Sequence, residues 1–402
     1  MADMASSAWL TIIGVGEDGI NGLSAPSRAA LANAKLVIAP ARHLALLPAI
    51  RCPVLEWPVP FADGIALLLE HRGQPVVMVA SGDPFWFGAG ASVTRHLKPG
   101  EWVAHPAPST FTLAAARLGW SLQDVSCVGL HAAPLERLRL QLAPGRRILA
   151  LMRDGAAVSK LAGYLTGQGF GPSALHVLEA LGGPRERIRC VTAEALAFTD
   201  IAHPVAVGID CAGDGAVLPL TAGRADAWFA SDGQITKQPV RALTLSALAP
   251  RPGELLWDIG AGSGSIAIEW LLAHAANRAC AVDADPVRAE RIRANAATFG
   301  LDRLDVLTAR VLDRLPAWPI PDAVFIGGGL SEQLLDMVWA HLPAGTRLVA
   351  NAVTLESEAL LAHWHGLKGG SLLRIELADA LPLGTRHGWR SRYPVVQWST
   401  ML

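Results

Sequence analysis

The stretch that most constrains this chain runs from Trp257 to Trp270, WDIGAGSGSIAIEW. An apolar run, LLWDIG, ends in Gly260, Gly262 and Gly264, and an amphipathic run, SIAIEWLLAHA, follows at once. That order predicts a strand, a tight turn and a helix, a unit in which a ligand meets bare backbone at a helix N-terminus. A chain built around such a unit is committed to an α/β architecture with a ligand at the carboxyl end of its strands.

Three ligands compete for the turn. A nucleoside-triphosphate loop ends in Gly-Lys-Ser/Thr, but Gly264 is followed by Ser265 and Ile266, so no lysine meets the phosphates. The dinucleotide pattern is spelled by Gly262, Gly264 and Ala267. Asp258 argues against it, because a carboxylate beside a pyrophosphate is a like charge in a partly buried cleft. Beside S-adenosylmethionine, with its ammonium and sulfonium, the same carboxylate is favourable. Asp283, 25 residues further on in AVDADP, ends the next strand and suits the ribose hydroxyls of either ligand. TARV (308–311), with Ala309 and Arg310, and FIGGG (325–329), with Gly327, end later strands on the same edge. The alternative is that the glycines only pack helix on strand and Asp258 caps a helix. It leaves the coincidence of several glycines with two strand-end acids unexplained.

At 402 residues the chain predicts two domains. The first half alternates short apolar runs with helical periods, from WLTIIGVG and APSRAALANA through PVVMVASGDP to PVAVGID, which indicates α/β organisation. After VAVGIDCAGDG the texture changes, and the Gly-, Ala- and Asp-rich residues 211–233 read as a connection. The boundary is set between residues 1–212 and 213–402. The second part reads as one doubly wound sheet with an antiparallel strand at its edge, closing on SLLRIELADA and YPVVQW. No repeat links the halves, so two different folds are expected.

Composition excludes several classes of function. Apolar residues make up 51% and charged residues 17%, which argues against disorder. Gly, Pro or a charge interrupts every apolar run before membrane-spanning length, and the start lacks a basic leader, so a cytoplasmic protein without membrane contact is expected. Five cysteines without a Cys-x-x-Cys give neither a disulfide framework nor a zinc site, and no metal is expected. Residues 1–210 carry 17 basic and 16 acidic side chains and residues 211–402 carry 17 and 19, so neither half is a basic nucleic-acid binder.

The second half, through DGQITKQPVRALTLSALAPRPGELLWDIGAGSGSIAIEW, FIGGG and NAVTLESEALL, resembles the class I S-adenosylmethionine-dependent methyltransferases and, within them, the CbiT family acting on corrin precursors. The first half, through IIGVGEDG (12–19) and VASGDPFWFGAG (79–90), resembles the tetrapyrrole methylase family. APARHLALLP and PAPSTFTLAAARLGW are similar to its CbiE branch. The resemblance implies a tetrapyrrole methylase fold of two α/β lobes followed by a Rossmann-like class I domain. It also implies one S-adenosylmethionine site in each domain. On the first domain that site falls to Gly14, Gly16, Ser81, Gly82, Asp83, Pro84 and Ser109. The family often has Pro-Gly after the second glycine, where this chain has Glu17 and Asp18. The implied activity is methylation of precorrin-6B at carbon 5 by the first domain and at carbon 15 by the second. Loss of carbon dioxide from the ring-C acetate accompanies it and gives precorrin-8X in cobalamin biosynthesis. The fused arrangement resembles the cobalt-free branch, and both families commonly self-associate, so a homo-oligomer is expected.

Such chemistry asks little of side chains as nucleophiles, because the sulfonium methyl is already activated and alignment supplies much of the acceleration. An anionic tetrapyrrole does ask for arginines. The segment LPLGTRHGWRSRYP carries Arg386, His387, Arg390 and Arg392, with no acid between Ala380 and Leu402. It is the candidate grip on substrate carboxylates, the alternative being a solvated basic edge. His43 is a candidate for the first active site and Glu179 for shaping the first donor pocket, each with a purely structural alternative. The competing functions are RNA methylation, a tetrapyrrole-binding protein with degenerate sites, and a dehydrogenase.

Overall fold

A computed structural model describes residues 8–47, 50–313 and 318–402. The first seven residues, read above for the lack of a leader, and Pro48 lie outside these. Two compact units emerge, one taking the chain up to Leu135 and Gln141–Val217, the other Glu136–Leu140 and Leu218–Leu402. Both are α/β, and each contains a parallel or largely parallel sheet.

The first unit holds two five-stranded sheets. One comprises β1 (Leu10–Val15), β2 (Leu36–Ala39), β3 (Val54–Glu56), β4 (Val76–Ser81) and β5 (Trp102–His105), ordered β3-β2-β4-β1-β5 and parallel throughout. Its inner strands β1, β2 and β4 are apolar and buried on both faces, as a sheet covered by helices requires. Leu10 and Ile12 of β1 join Val76 and Met78 of β4 in one core layer, while Ile13 and Val15 join Val77 and Val79 in the other. The second sheet comprises β6 (Val125–Gly129), β7 (Arg147–Met152), β8 (Ala174–Glu179), β9 (Arg187–Thr192) and β10 (Val205–Asp210), ordered β6-β7-β10-β8-β9. Only β6 and β7 run parallel there.

The second unit is a seven-stranded sheet of β11 (Leu255–Ile259), β12 (Arg278–Asp283), β13 (Leu304–Thr308), β14 (Ala323–Ile326), β15 (Arg347–Ala352), β16 (Ser371–Ile375) and a last strand, Val395–Met401. β17 (Ala378–Leu383) and β18 (Arg386–Ser391) form a separate hairpin, which makes the last strand β19. The order β13-β12-β11-β14-β15-β19-β16 reverses direction at β11, between β12 on one side and β14 on the other. That is the switch point at which doubly wound sheets bind ligands.

Two expectations need correction. The one strand that runs against the others, β19, does not lie at the edge: it is antiparallel to both β15 and β16, so the edge strand β16 runs with the parallel set. SLLRIELADA is not one run, because the pattern breaks after Ile375 and Ala378 begins the hairpin. Nor is 211–233 merely a connection. Leu218 and Phe229 are buried in the core of the second unit, and Arg224 is buried with an ionic partner. The small residues around these anchors hid them from a reading by composition. Among the described residues no helix is long and apolar enough to cross a membrane, and no group of three or more His, Cys, Asp or Glu side chains is placed to hold a metal.

Candidate functional site

The second unit contains a cavity of about 1480 Å³ at the switch point. Its wall includes Gly260, Gly262, Asp283, Ala309, Arg310 and Gly327, which the sequence had placed on four strand ends. Gly260 turns the chain with φ +66, and a Cβ there would lie 2.6 Å from the Gly328 backbone, so two strand ends meet where no side chain fits. Asp283 is held at the rim by two backbone donors, Gly262 N–H to Oδ2 at 2.9 Å and Asp285 N–H to Oδ1 at 3.0 Å. An acid fixed in this way needs no reorganisation to accept further donors.

Asp258 and Gly264 stand behind this wall. Gly264 begins the helix Ser265–Ala273 with φ +73 and packs on Ile292. Along β11, Leu256 and Asp258 share the face that meets this helix. Asp258 is fully buried; its Oδ2 accepts from the Ala267 N–H at 3.0 Å and its Oδ1 meets no donor. Burial, with the charge of Asp283 adding to it, pushes the carboxyl up to about 7. The helix-capping reading finds one oxygen; the other meets no donor among the described residues, and Asp258 does not itself line the cavity.

One side of the cavity is closed by Gln234, Thr236 and Lys237, which the sequence reading missed. Glu269, buried on the helix Ser265–Ala273, accepts from the backbone of Gly223 at 2.6 Å and Arg224 at 3.0 Å, and from Arg241 Nε at 2.8 Å. Arg241, buried on the helix Gln238–Leu248, also donates to the carbonyls of Thr236 and Arg224. Asp232 accepts from the Gln234 N–H at 3.0 Å and pairs with Arg291 and Arg288, each at 3.0 Å; the backbone bond first, then these pairs, hold its carboxyl down at about 2. The signal available in the sequence was two charges, Arg241 and Glu269, on helix faces that otherwise read as core.

The opposite side divides the basic segment. Arg390 and Arg392 line the cavity; Arg386 and His387, at the turn of the hairpin, do not. Arg392 forks onto Asp379 at 2.5 and 2.7 Å, so the acid that neutralises it sits one residue before the stretch read as free of acids. Arg390 makes no ion pair among the described residues. Asn351, where β15 ends, also lines the cavity, donating to Thr244 Oγ1 at 2.9 Å and accepting from Gln397 at 3.1 Å.

In the first unit the predicted residues gather at one sheet edge, where Val15 of β1 is paired with Ser81 of β4. Gly82 N–H donates to Val15 and Ala107 N–H to the Gly82 carbonyl, and a Cβ on Gly14 would run into both Gly82 and Ala107. Asp83 Oδ1 accepts from Phe85 N–H at 2.8 Å, and the Pro84 carbonyl from Gly90 N–H at 2.9 Å, which shapes the loop after β4. Gly16 lies against Asp18, and Ser109 caps the helix Thr110–Leu118 through Thr112 N–H at 3.1 Å. Glu17 has a use here, pairing with Arg42 and, at 3.0 Å, with Arg185. His43 is buried behind Ser81. Glu179, at the end of β8, is fully buried. It accepts from Arg187 at 2.7 and 2.8 Å, Arg189 at 3.1 Å and Ala202 N–H at 2.6 Å, and so ties β9 and the chain before β10 to β8.

Residues 9–197 match the family of tetrapyrrole (corrin/porphyrin) methylases, and residues 227–402 match the precorrin methyltransferase domain. The chain is 48% identical over 410 residues to precorrin-6Y C(5,15)-methyltransferase [decarboxylating] of Sinorhizobium sp., covering 99% of each chain. It is 40% identical to the protein of that name from Mycobacterium tuberculosis (strain CDC 1551 / Oshkosh), with 97% of this chain and 99% of the relative covered. The crystal structure of the C-terminal domain of precorrin-6Y C5,15-methyltransferase from Rhodobacter capsulatus shares 51% identity over 46% of this chain and 100% of its own, with a TM-score of 0.45.

Proposed function

Because the chain belongs to the precorrin-6Y C5,15-methyltransferase (decarboxylating) family, we propose that it methylates precorrin-6B at carbons 5 and 15 and removes the ring-C acetate carboxyl, giving precorrin-8X. The observation that carries this reading is the second unit's cavity. It joins a glycine-lined strand edge to an unpaired arginine, and its about 1480 Å³ exceeds the ~300–1000 Å³ of ordinary small-molecule pockets. That leaves room for a methyl donor and a macrocycle together.

S-adenosylmethionine supplies the activated methyl group when bound. The residues fit it: Gly260 offers a backbone cradle that any Cβ would fill, and Asp258 keeps a buried oxygen without a donor. We assign Gly260, Gly262, Gly264, Asp258, Asp283, Ala309, Arg310 and Gly327 to this donor site, with Asp283 directed to ribose hydroxyls. A second donor site in the first unit takes Gly14, Gly16, Ser81, Gly82, Asp83, Pro84 and Ser109, so the domains of residues 1–212 and 213–402 each hold one. Arg390 receives a substrate carboxylate, as a guanidinium fork suits. Decarboxylation needs an electron sink, which the ring's own iminium nitrogens provide, and the protein's part is to hold the acetate in a dry, aligned position. The same reading makes the enzyme a cytoplasmic homo-oligomer whose partner is an anionic tetrapyrrole, neither nucleic acid nor membrane.

The test is incubation of the full chain with precorrin-6B and S-adenosylmethionine, reading the product mass. Two added methyl groups and one lost carbon dioxide are expected. Gly14→Val and Gly260→Val, made separately, then assign the steps, each stopping one methyl addition. A product with no mass change would overturn the reading.

A further inference from the structure

At the edge of the first sheet an exposed hydroxyl stands in front of a buried imidazole. Ser81 ends β4 and faces solvent, while His43, in the helix Ala41–Ala45, is 5% exposed. Ser81 Oγ lies 2.7 Å from His43 Nε2. Arg42 Nη2 lies 2.8 Å from each of these atoms. A guanidinium only donates, so Nε2 is the acceptor of this group and the ring proton sits on Nδ1. The hydroxyl is thereby backed by a lone pair, the relation that makes a serine able to exchange a proton. Burial and the adjacent Arg42 push the imidazole down to about 4, against a contact with the Val79 backbone, so Nε2 is unprotonated at neutral pH. Glu17 holds Arg42 from its far side and is itself held by Arg185. Packing alone does not require a histidine with this orientation, and the functional reading above leaves it idle.

The chemistry of that reading leaves one event without a group to perform it. Methyl addition at a ring carbon that bears hydrogen forms a C–C bond and breaks the donor's S–C bond. The ring is then cationic. Its C–H bond gives up a proton, the bonding pair returns to the conjugated system, and the proton goes to a base.

We propose that Ser81 Oγ receives the proton lost from carbon 5 of the substrate while passing its own to His43 Nε2. The inference rests on the assignment of carbon 5 to the first unit. Ser81 adjoins the Gly82–Pro84 loop, so its hydroxyl lies where donor and acceptor carbon are expected to meet. Ser81 is the group that touches the substrate, and His43 acts through it. The positive charge of Arg42 keeps the imidazole from retaining the proton, which leaves to solvent before the next turnover.

The experiment uses the full chain with His43→Phe, His43→Gln, Ser81→Ala and Ser81→Thr. Methyl addition at carbon 15 with carbon dioxide loss, which belongs to the other unit, serves as the internal control. Substrate carrying deuterium at carbon 5 reports the proton step. Imidazole ¹⁵N resonances of the protein alone report the Ser81–His43 bond, and calorimetry reports donor affinity. His43→Phe is expected to slow carbon-5 methylation about 100-fold in kcat, the range for loss of a positioned proton acceptor, with KM little changed; Ser81→Ala should show the same loss in kcat at saturating donor, any loss of donor affinity being read separately by calorimetry. A primary deuterium isotope effect should emerge with the loss, and Ser81→Thr should restore the rate. Ser81→Ala should also shift the His43 Nε2 resonance. His43→Gln keeps a polar side chain that takes no proton, so it shows the same loss if the phenylalanine disturbs folding. Wild-type carbon-5 rates without an isotope effect in His43→Gln and Ser81→Ala would overturn the proposal. Absence of both methylations in the unaltered enzyme would overturn the functional reading instead.

Discussion

Asp258 Oδ2 accepts the Ala267 N–H at 3.0 Å, while Oδ1 of the same carboxyl, equally enclosed, meets no donor. The group thus commits one oxygen to the helix behind the glycine turn, while the other meets no donor among the described residues. With its pKa pushed up to about 7, it is largely protonated below neutrality in the protein alone. A cationic donor favours the ionised form, so binding must expel the proton at low pH. Affinity of the second unit for S-adenosylmethionine should rise up to about tenfold per pH unit from 5.5 towards 7 and then level off. Calorimetry in buffers of differing ionisation heat should detect close to one proton released at pH 5.5. Asp258→Asn should bind more weakly and lose the pH dependence. A flat wild-type profile would show that this carboxyl does not sense the donor.

The same residue links function to stability. The folded pKa lies above the ~3.9 of an unfolded aspartate, so the folded state holds the proton more tightly. Ionising Asp258 in place costs nothing below about pH 4, costs progressively more between pH 4 and 7, and costs a constant amount above that. Asp258→Asn should therefore match the wild type in thermal midpoint near pH 4.5 and exceed it by a few degrees at pH 8. Gaining stability while losing donor affinity is the pattern expected of a residue kept for binding.

The sequence made the second unit's strand edge readable because each of its parts is local. Gly260, Gly262, Asp283, Ala309 and Gly327 end consecutive apolar runs, and in a parallel sheet consecutive run ends share an edge. What escaped was non-local. Arg241 and Glu269 are 28 residues apart and meet only because two helices pack together. The pairing of Arg392 with Asp379 depends on a hairpin whose turn, at Gly384, lies inside a run read as one basic segment. Ser81 and His43, 38 residues apart, come together because β2 and β4 are neighbours, an adjacency that strand count alone does not give.

The hairpin arginines should separate by what already holds them. Arg390 lines the cavity without an ion pair, so Arg390→Ala removes a charge-assisted bond to substrate worth about 1.5–3 kcal/mol. That should lower kcat/KM for carbon-15 methylation and decarboxylation about 10- to 100-fold, with donor affinity unchanged. Arg392→Ala should act through the hairpin, since it strands Asp379, and Asp379→Asn should reproduce much of its effect. Arg386→Ala, at the turn, should change kcat/KM less than about twofold, as exposed charges contribute little. Steady-state kinetics on the four single variants settles the order, and equal losses at Arg386 and Arg390 would remove the assignment.

The last prediction concerns the wall that composition concealed. Glu269 is the shared acceptor for Arg241, Arg224 and two backbone N–H groups, and all three charged side chains are buried, while Arg241 also reaches the less buried Asp226 at 3.1 Å. Removing the acid leaves Arg224 in the interior without an ionic partner among the described residues and Arg241 with Asp226 alone, and breaking a buried pair from one side costs about 3–5 kcal/mol. Glu269→Ala should lower the thermal midpoint accordingly. It should also weaken donor binding, because the chain from Gly223 to Lys237, which closes one side of the cavity, loses its anchor. Replacing Arg241 and Glu269 together with Met and Leu removes a buried charge along with its partner, so the double variant should recover part of the stability lost in Glu269→Ala. Its donor affinity should stay low, since the bonds from Arg241 to the Thr236 and Arg224 carbonyls are gone as well. Thermal denaturation and calorimetry on the two variants separate these effects. Full recovery of donor binding in the double variant would mean that the wall is held by packing, not by these two charges.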